Sequence, residues 1–158
     1  MKTRNAKLML AGSLIVCTLG ALAWATPPLG FTATNIIGPV LLDEIDTKAE
    51  TDNWEIELKT RGLSDVYMTE IKIAPGGHGG WHSHPGPSFI CVKSGTATFY
   101  DDCDDFIRRQ YPAGTGFVED AECVHLLANE EEDEELVVVV MQIVEFGAPR
   151  RIDEPAPF

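Results

Sequence analysis

Residues 76–95 read GGHGGWHSHPGPSFICVKSG, and the rest of the chain is best read outward from them. Two Gly-Gly pairs surround His78 and mark a loop. His82 and His84 then follow two residues apart. In an extended strand alternate side chains share a face, so these two imidazoles project together, about 7 Å apart along the strand. Such a pair can share a metal ion if a third ligand arrives from a facing strand. The remaining histidine, His125, begins the apolar run His125 to Ala128 and could lie on such a strand. His82, His84 and His125 are therefore candidate metal ligands, imidazole being the commonest protein ligand for transition metals. The competing reading is three unrelated imidazoles, each satisfied by its own surroundings. His78 shares strand parity with His82 and His84 but stands among glycines. It reads either as a group at the mouth of a pocket or as a surface imidazole.

The sequence around this stretch consists of short apolar runs separated by Gly, Pro and Asp clusters. Trp54, Ile56 and Leu58 alternate with polar residues, as do Val66 and Met68, with Ile71 and Ile73 following after a slip of phase. Phe89 to Val92 and Ala97 to Tyr100 flank the turn Ser94-Gly95. Phe106 to Tyr111, Gly116 to Val118, Val124 to Ala128 and Leu136 to Val144 complete the series. Strands every 8 to 12 residues with turn signals between them predict an all-β sandwich or barrel. The uninterrupted run Leu136 to Val140 predicts a strand buried on both faces or central in its sheet. Two acidic knots, Asp101 to Asp105 and Glu130 to Glu135, lack the spaced Asp/Asn and Gly of a calcium loop. They read as solvated turns that keep strand edges apart.

The chain has 158 residues, enough for one domain. Twelve Lys and Arg face 25 Asp and Glu, a net charge of −13. A surface this acidic repels phosphate backbones, which excludes nucleic acid as a partner. Lys2, Arg4 and Lys7 precede an uncharged stretch to Trp24, and Ala23-Trp24-Ala25 has the small-x-small form of a cleavage site. Residues 1–25 are thus read as a secretory signal helix, with an uncleaved membrane anchor as the alternative. The expected organisation is a linker over 26–34, a barrel over 35–146 and a Pro-rich tail over 147–158. Export, to a periplasm or to the outside, places Cys91, Cys103 and Cys123 in an oxidising compartment, with an odd thiol left over.

The His cluster lies in a pattern that resembles the cupin superfamily, small β-barrels of jelly-roll type. The first cupin motif runs Gly, five residues, His-x-His, three or four residues, Glu, six residues, Gly. Here Gly76 leads to His82-Ser83-His84, then to Ser88, and then to Gly95. The second runs Pro-x-Gly, a variable gap, and His-x-x-x-Asn, which is matched by Pro112-Ala113-Gly114 and His125 to Asn129. Ser88 stands where most metal-binding cupins carry Glu, and Phe106 stands where a Gly is expected before Pro112.

The resemblance implies a single jelly-roll barrel with His82, His84 and His125 as metal ligands. With Ser88 in place of the carboxylate, it implies a neutral three-His shell, as in the thiol dioxygenase branch, or a degenerate, metal-free barrel. A Glu at Ser88 would then restore the four-ligand pattern. It also implies a disulfide between Cys103 and Cys123, because the two turns that carry them lie at one end of a jelly roll. Cys91, in mid-strand, is left over.

Fold does not fix function, and three readings stay open. The first is an exported cupin that binds a divalent metal and a small anionic or polar ligand. The second is a metal-dependent dioxygenase, and the third a metal-free barrel for ligand binding or assembly. A three-His set does not distinguish Zn, Cu, Mn, Fe or Ni. The implied partners are a small molecule and, in a homodimer, a second copy of the chain. A membrane enters only if the signal segment is retained. Tyr100, Tyr111 and Glu119 can be nominated as acid–base groups, but nothing in their spacing requires it.

Overall fold

The protein is described from a computed structural model over residues 25–103 and 107–157. The expected signal helix lies outside these residues except for Ala25, and Phe106 lies outside them as well. The described residues form strands and turns without a helix, as the spacing of apolar runs predicts.

Strand β1 (Leu29–Leu42) pairs antiparallel with the long strand β4 (Ser64–His78). Between them in sequence, β2 (Asp46–Thr51) and β3 (Trp54–Lys59) form a separate two-stranded hairpin. β4 also pairs with β11 (Leu136–Glu145), and β11 pairs with β6 (Ser88–Ser94) on its other side. β6 continues to β9 (Gly116–Glu119). The second part of the barrel carries β5 (His82–Ser83), β7 (Thr96–Asp101), β8 (Ile107–Pro112), β10 (His125–Ala128) and β12 (Ile152–Asp153). There β10 lies between β5 and β7, and β12 closes on β5. The result is a nearly closed antiparallel jelly roll.

The core is Ile73, Ile90, Val92, Ala97, Leu127, Leu136, Val138 and Val140, with Phe31, Tyr111 and Phe117 packed against it. Each fully buried aliphatic side chain contributes about 1.5–3 kcal/mol. Leu136 and Val138 are completely buried, and Val137 on the opposite face is nearly so. β11 is thus the central strand that its unbroken apolar run predicts, held between β4 and β6. Gly95, at φ +75°, makes the turn from β6 to β7 in a conformation that a side chain disfavours. A Cβ on Gly86 would lie 2.1 Å from the carbonyl oxygen of Ile143, so only Gly lets the loop after His84 pass this close to β11.

Three expectations are corrected. Strand pairing begins at Leu29, inside the segment read as a linker, because β4 extends far enough to receive it. The segment read as a Pro-rich tail takes part in the strand pairing. Ile152 and Asp153 pair with Ser83 and His82, and Pro155 bridges to Ala25. The alternation of Trp54, Ile56 and Leu58 does make a strand, but it stands outside the barrel sheet with those side chains exposed.

Candidate metal centre

β5 and β10 lie side by side with His82 and His125 as register partners, and His84 follows β5 directly. This pairing brings His125 beside His82 and His84, from which the sequence separates it by more than 40 residues. Their ligating nitrogens all lie within 4.8 Å of one another, and all three residues are buried. Ring centroids are 4.5 Å apart for His82 and His125, 4.8 Å for His82 and His84, and 5.0 Å for His84 and His125.

Each imidazole is held by a backbone carbonyl. Nδ1–H of His82 donates to Gly80 O at 2.7 Å, that of His84 to Arg150 O at 2.7 Å, and that of His125 to Cys123 O at 2.9 Å. A carbonyl oxygen only accepts, so Nδ1 carries the hydrogen in all three rings. In the neutral imidazole the Nε2 lone pair is then left for a ligand, the arrangement seen around metal-bound His. Nε2 of His125 is fully buried and has no hydrogen-bond partner among the described residues. Burial, reinforced by repulsion from His125 in its protonated form and from the Arg151 guanidinium, pushes the His82 pKa down to about 3. Burial also lowers that of His125. Both rings are therefore neutral bases at physiological pH.

The turn before β5 explains the role of the glycines. Gly80, at φ +74°, gives its carbonyl to His82, and its N–H donates to Nδ1 of His78 at 3.1 Å. His78, half-buried at the end of β4, braces this turn and is not among the residues lining the cavity described below. Asn129 of the second motif is structural. Its side-chain amide donates to Ile73 O and Glu134 O and accepts from Glu131 N–H, closing the acidic turn after β10.

A buried carboxylate lies beside the three imidazoles. Glu119 ends β9 with a buried carboxylate, its Oε2 3.3 Å from Nε2 of His84 and 3.6 Å from Nε2 of His125. Burial raises the pKa of this group, but the imidazoles in their protonated forms, with His84 then able to donate from Nε2–H, outweigh burial and hold it below the usual carboxylate value. Ser88, completely buried, is the register partner of Glu119 across β6 and β9. Its Oγ has no hydrogen-bond partner among the described residues. Of the other nominated groups, Tyr100 donates to Glu130, and Tyr111 stacks on Phe117 in the core.

A cavity of about 200 Å³ opens onto His82, His84, Ser88 and Glu119. Its walls are mainly apolar, with Phe31, Ile71, Leu127 and Val140 among them. Arg150 and Arg151, which sequence reasoning passed over in the tail, also line it. Arg150 donates to neutral acceptors: Gln142 Oε1 at 3.2 Å, Asn35 Oδ1 at 2.9 Å and Thr69 Oγ1 at 2.8 Å. Its guanidinium lies 4.2 Å above the Tyr67 ring, and burial lowers its pKa. Nε–H of Arg151 donates to Asp153 at 2.5 Å, while its Nη2 is buried with no hydrogen-bond partner among the described residues.

Beside the site, Cys103 and Cys123 form the expected disulfide, with Cα atoms 5.5 Å apart, and Cys91 is free and exposed.

Residues 69–142, just under half of the chain, match the cupin domain family Cupin_2. No curated protein sequence matches the chain. A cupin-like protein of Thermotoga maritima is 19% identical over 62% of this chain and 80% of its own, with a TM-score of 0.50. Vicilin of Corylus avellana (hazelnut) is 15% identical over 56% of this chain and 26% of its own, with a TM-score of 0.51. An oxalate oxidase in complex with the substrate analogue glycolate is 23% identical over 56% of this chain, with a TM-score of 0.49. The match spans only 45% of that oxalate oxidase chain. At these identities the likeness to solved structures is one of fold. The match over residues 69–142 agrees with the jelly-roll topology and with both motifs in register, so this part of the chain is a cupin-type barrel.

Proposed function

We propose that this protein is an exported cupin that binds one divalent metal ion through His82, His84 and His125 and takes a small anionic molecule into the barrel beside it. The observation that carries the reading is the set of three Nδ1–H to carbonyl bonds. They direct Nε2 lone pairs into a buried space that also holds the Glu119 carboxylate. Several lone pairs converging away from water are unfavourable unless a cation lies among them. Neutral, tautomer-fixed imidazoles suit a divalent transition metal, and their donors do not choose between Zn, Cu, Mn, Fe and Ni. When bound, the ion would supply a Lewis-acid centre that polarises a coordinated oxygen.

The chain's own residues support the rest of the reading. The apolar walls exclude water around a ligand. Arg150 brings a charge that meets neutral acceptors in Gln142, Asn35 and Thr69, and Arg151 brings a buried donor without a hydrogen-bond partner among the described residues. In a chain of net charge −13, two guanidiniums beside one cavity favour a small carboxylate or a similar anion. The disulfide agrees with an oxidising compartment. A homodimer would use the open edge of β1, where Ile36, Ile37, Val40 and Leu41 are exposed. Sedimentation velocity tests that point.

Elemental analysis tests the central reading. The purified protein should carry about one divalent ion per chain. Each of His82→Ala, His84→Ala and His125→Ala should lose it. Full retention in any one variant removes that residue from the set.

A further inference from the structure

We infer that Glu119 is the fourth ligand of this metal, so that the carboxylate missing from the first motif at Ser88 is supplied one strand away. The inference rests on the reading that His82, His84 and His125 hold the ion. Ser88 and Glu119 are direct antiparallel partners, as are Ile90 and Phe117 two residues along. Residues opposite one another in this way project to the same face of the sheet, their Cα atoms about 4.5–5.5 Å apart. Ile90 and Phe117 both belong to the interior, so Ser88 and Glu119 point inward too. A carboxylate moved from one to the other stays in the same chamber.

The distances fit ligation better than an ordinary ion pair. Ligands at about 2.0–2.2 Å from a common ion stand roughly 3.0–3.6 Å from one another. Oε2 of Glu119 already lies 3.3 Å from Nε2 of His84 and 3.6 Å from Nε2 of His125. The longer contact is outside hydrogen-bond reach, and Nε2 of His125 has no hydrogen-bond partner among the described residues. One carboxylate oxygen facing two imidazole nitrogens in a buried site has the spacing of three ligands on one face of a coordination polyhedron. The consequence is electrical. A neutral three-His shell leaves the complex at +2, whereas Glu119 reduces it to +1. An anionic oxygen also shifts preference toward harder cations such as Mn(II).

The test is Mn(II) and Zn(II) affinity, measured by chelator competition on the full folded protein with its disulfide intact. Wild type, Glu119→Gln and the exchange Ser88→Glu with Glu119→Ser are compared. Glu119→Gln keeps size and shape, and equal melting of the metal-free forms establishes that it is folded. It should lose Mn(II) affinity by more than about tenfold, the lower limit even for groups one shell further out, with a smaller loss for Zn(II). The exchange variant, which returns the carboxylate to β6, should recover most of the Mn(II) affinity. Mn(II) affinity of Glu119→Gln within threefold of wild type overturns the inference. So does an exchange variant that binds no better than Glu119→Gln. Wild type that binds neither ion overturns the three-His reading itself, an outcome distinct from the other two.

Discussion

The carbonyl oxygen of Cys123 accepts the Nδ1–H of His125 at 2.9 Å, and the Cys123 side chain is bonded to Cys103. The disulfide therefore reaches the centre through a single residue. It holds the chain that fixes which nitrogen of His125 faces His82 and His84. A bridge closing about 20 residues also stabilises the fold by on the order of 3 kcal/mol. Cys103→Ser with Cys123→Ser should lower the melting temperature and weaken metal binding, while Cys91→Ser, at an exposed position, should change neither. Unchanged metal affinity in the double variant would separate the bridge from the site.

Acid should weaken the metal-free protein in a defined direction. His82 titrates near pH 3 when folded and near 6.5 when unfolded, so between these values the unfolded chain binds more protons. Its contribution to stability is therefore intact above about pH 6.5 and falls as the pH is lowered toward 3. At pH 5 the loss is about 2 kcal/mol. The lowered pKa of Glu119 acts with the same sign, its stabilisation being lost as pH falls through its folded value. Melting curves of metal-free protein at pH 7.5 and pH 5 should show the drop, and His82→Asn should show a smaller one. An equal drop in the variant would place the acid sensitivity elsewhere.

Arg151 should act on anions rather than on the metal. Azide binding to Co(II)-loaded protein, followed by visible absorption, should weaken by about tenfold in Arg151→Gln, the effect of losing one charge-assisted hydrogen bond. Co(II) affinity should stay near that of wild type. Azide affinity unchanged in the variant would remove Arg151 from the ligand site.

Asn129→Ala tests the structural half of the second motif. The change strands the carbonyls of Ile73 and Glu134 and the N–H of Glu131. Asn129 is almost completely buried, so the expected cost is about 2–3 kcal/mol in denaturant unfolding. A loss below about 0.5 kcal/mol would mean that water replaces these bonds.

What could be read from the sequence followed spacing, and what could not depended on pairing. His82 and His84 stand in one local pattern, and His125 opens an apolar run, so all three could be named before any strand was placed. The Cys103–Cys123 bridge followed from the turns of the fold that the motifs imply. Glu119 could be nominated but not assigned, since its nearness to His84 and His125 exists only once β9 lies against β6. The available signal was parity: Glu119 shares a face with Phe117, which places an acid on a core-facing position. Arg150 and Arg151 were hidden for a related reason. A segment with Pro149, Pro155 and Pro157 reads as a loose tail, yet the Arg150 carbonyl orients His84, and β12 pairs with β5. For the hairpin β2–β3, alternation revealed the strand but not the face, because it does not say what the apolar side packs against.

The most direct measurement is anomalous diffraction from crystals of the metal-loaded protein, recorded at the absorption edge of the bound element. One strong peak per chain is expected, about 2.0–2.2 Å from Nε2 of His82, His84 and His125. A peak outside this cluster, or none there at full metal loading, would contradict the three-His reading.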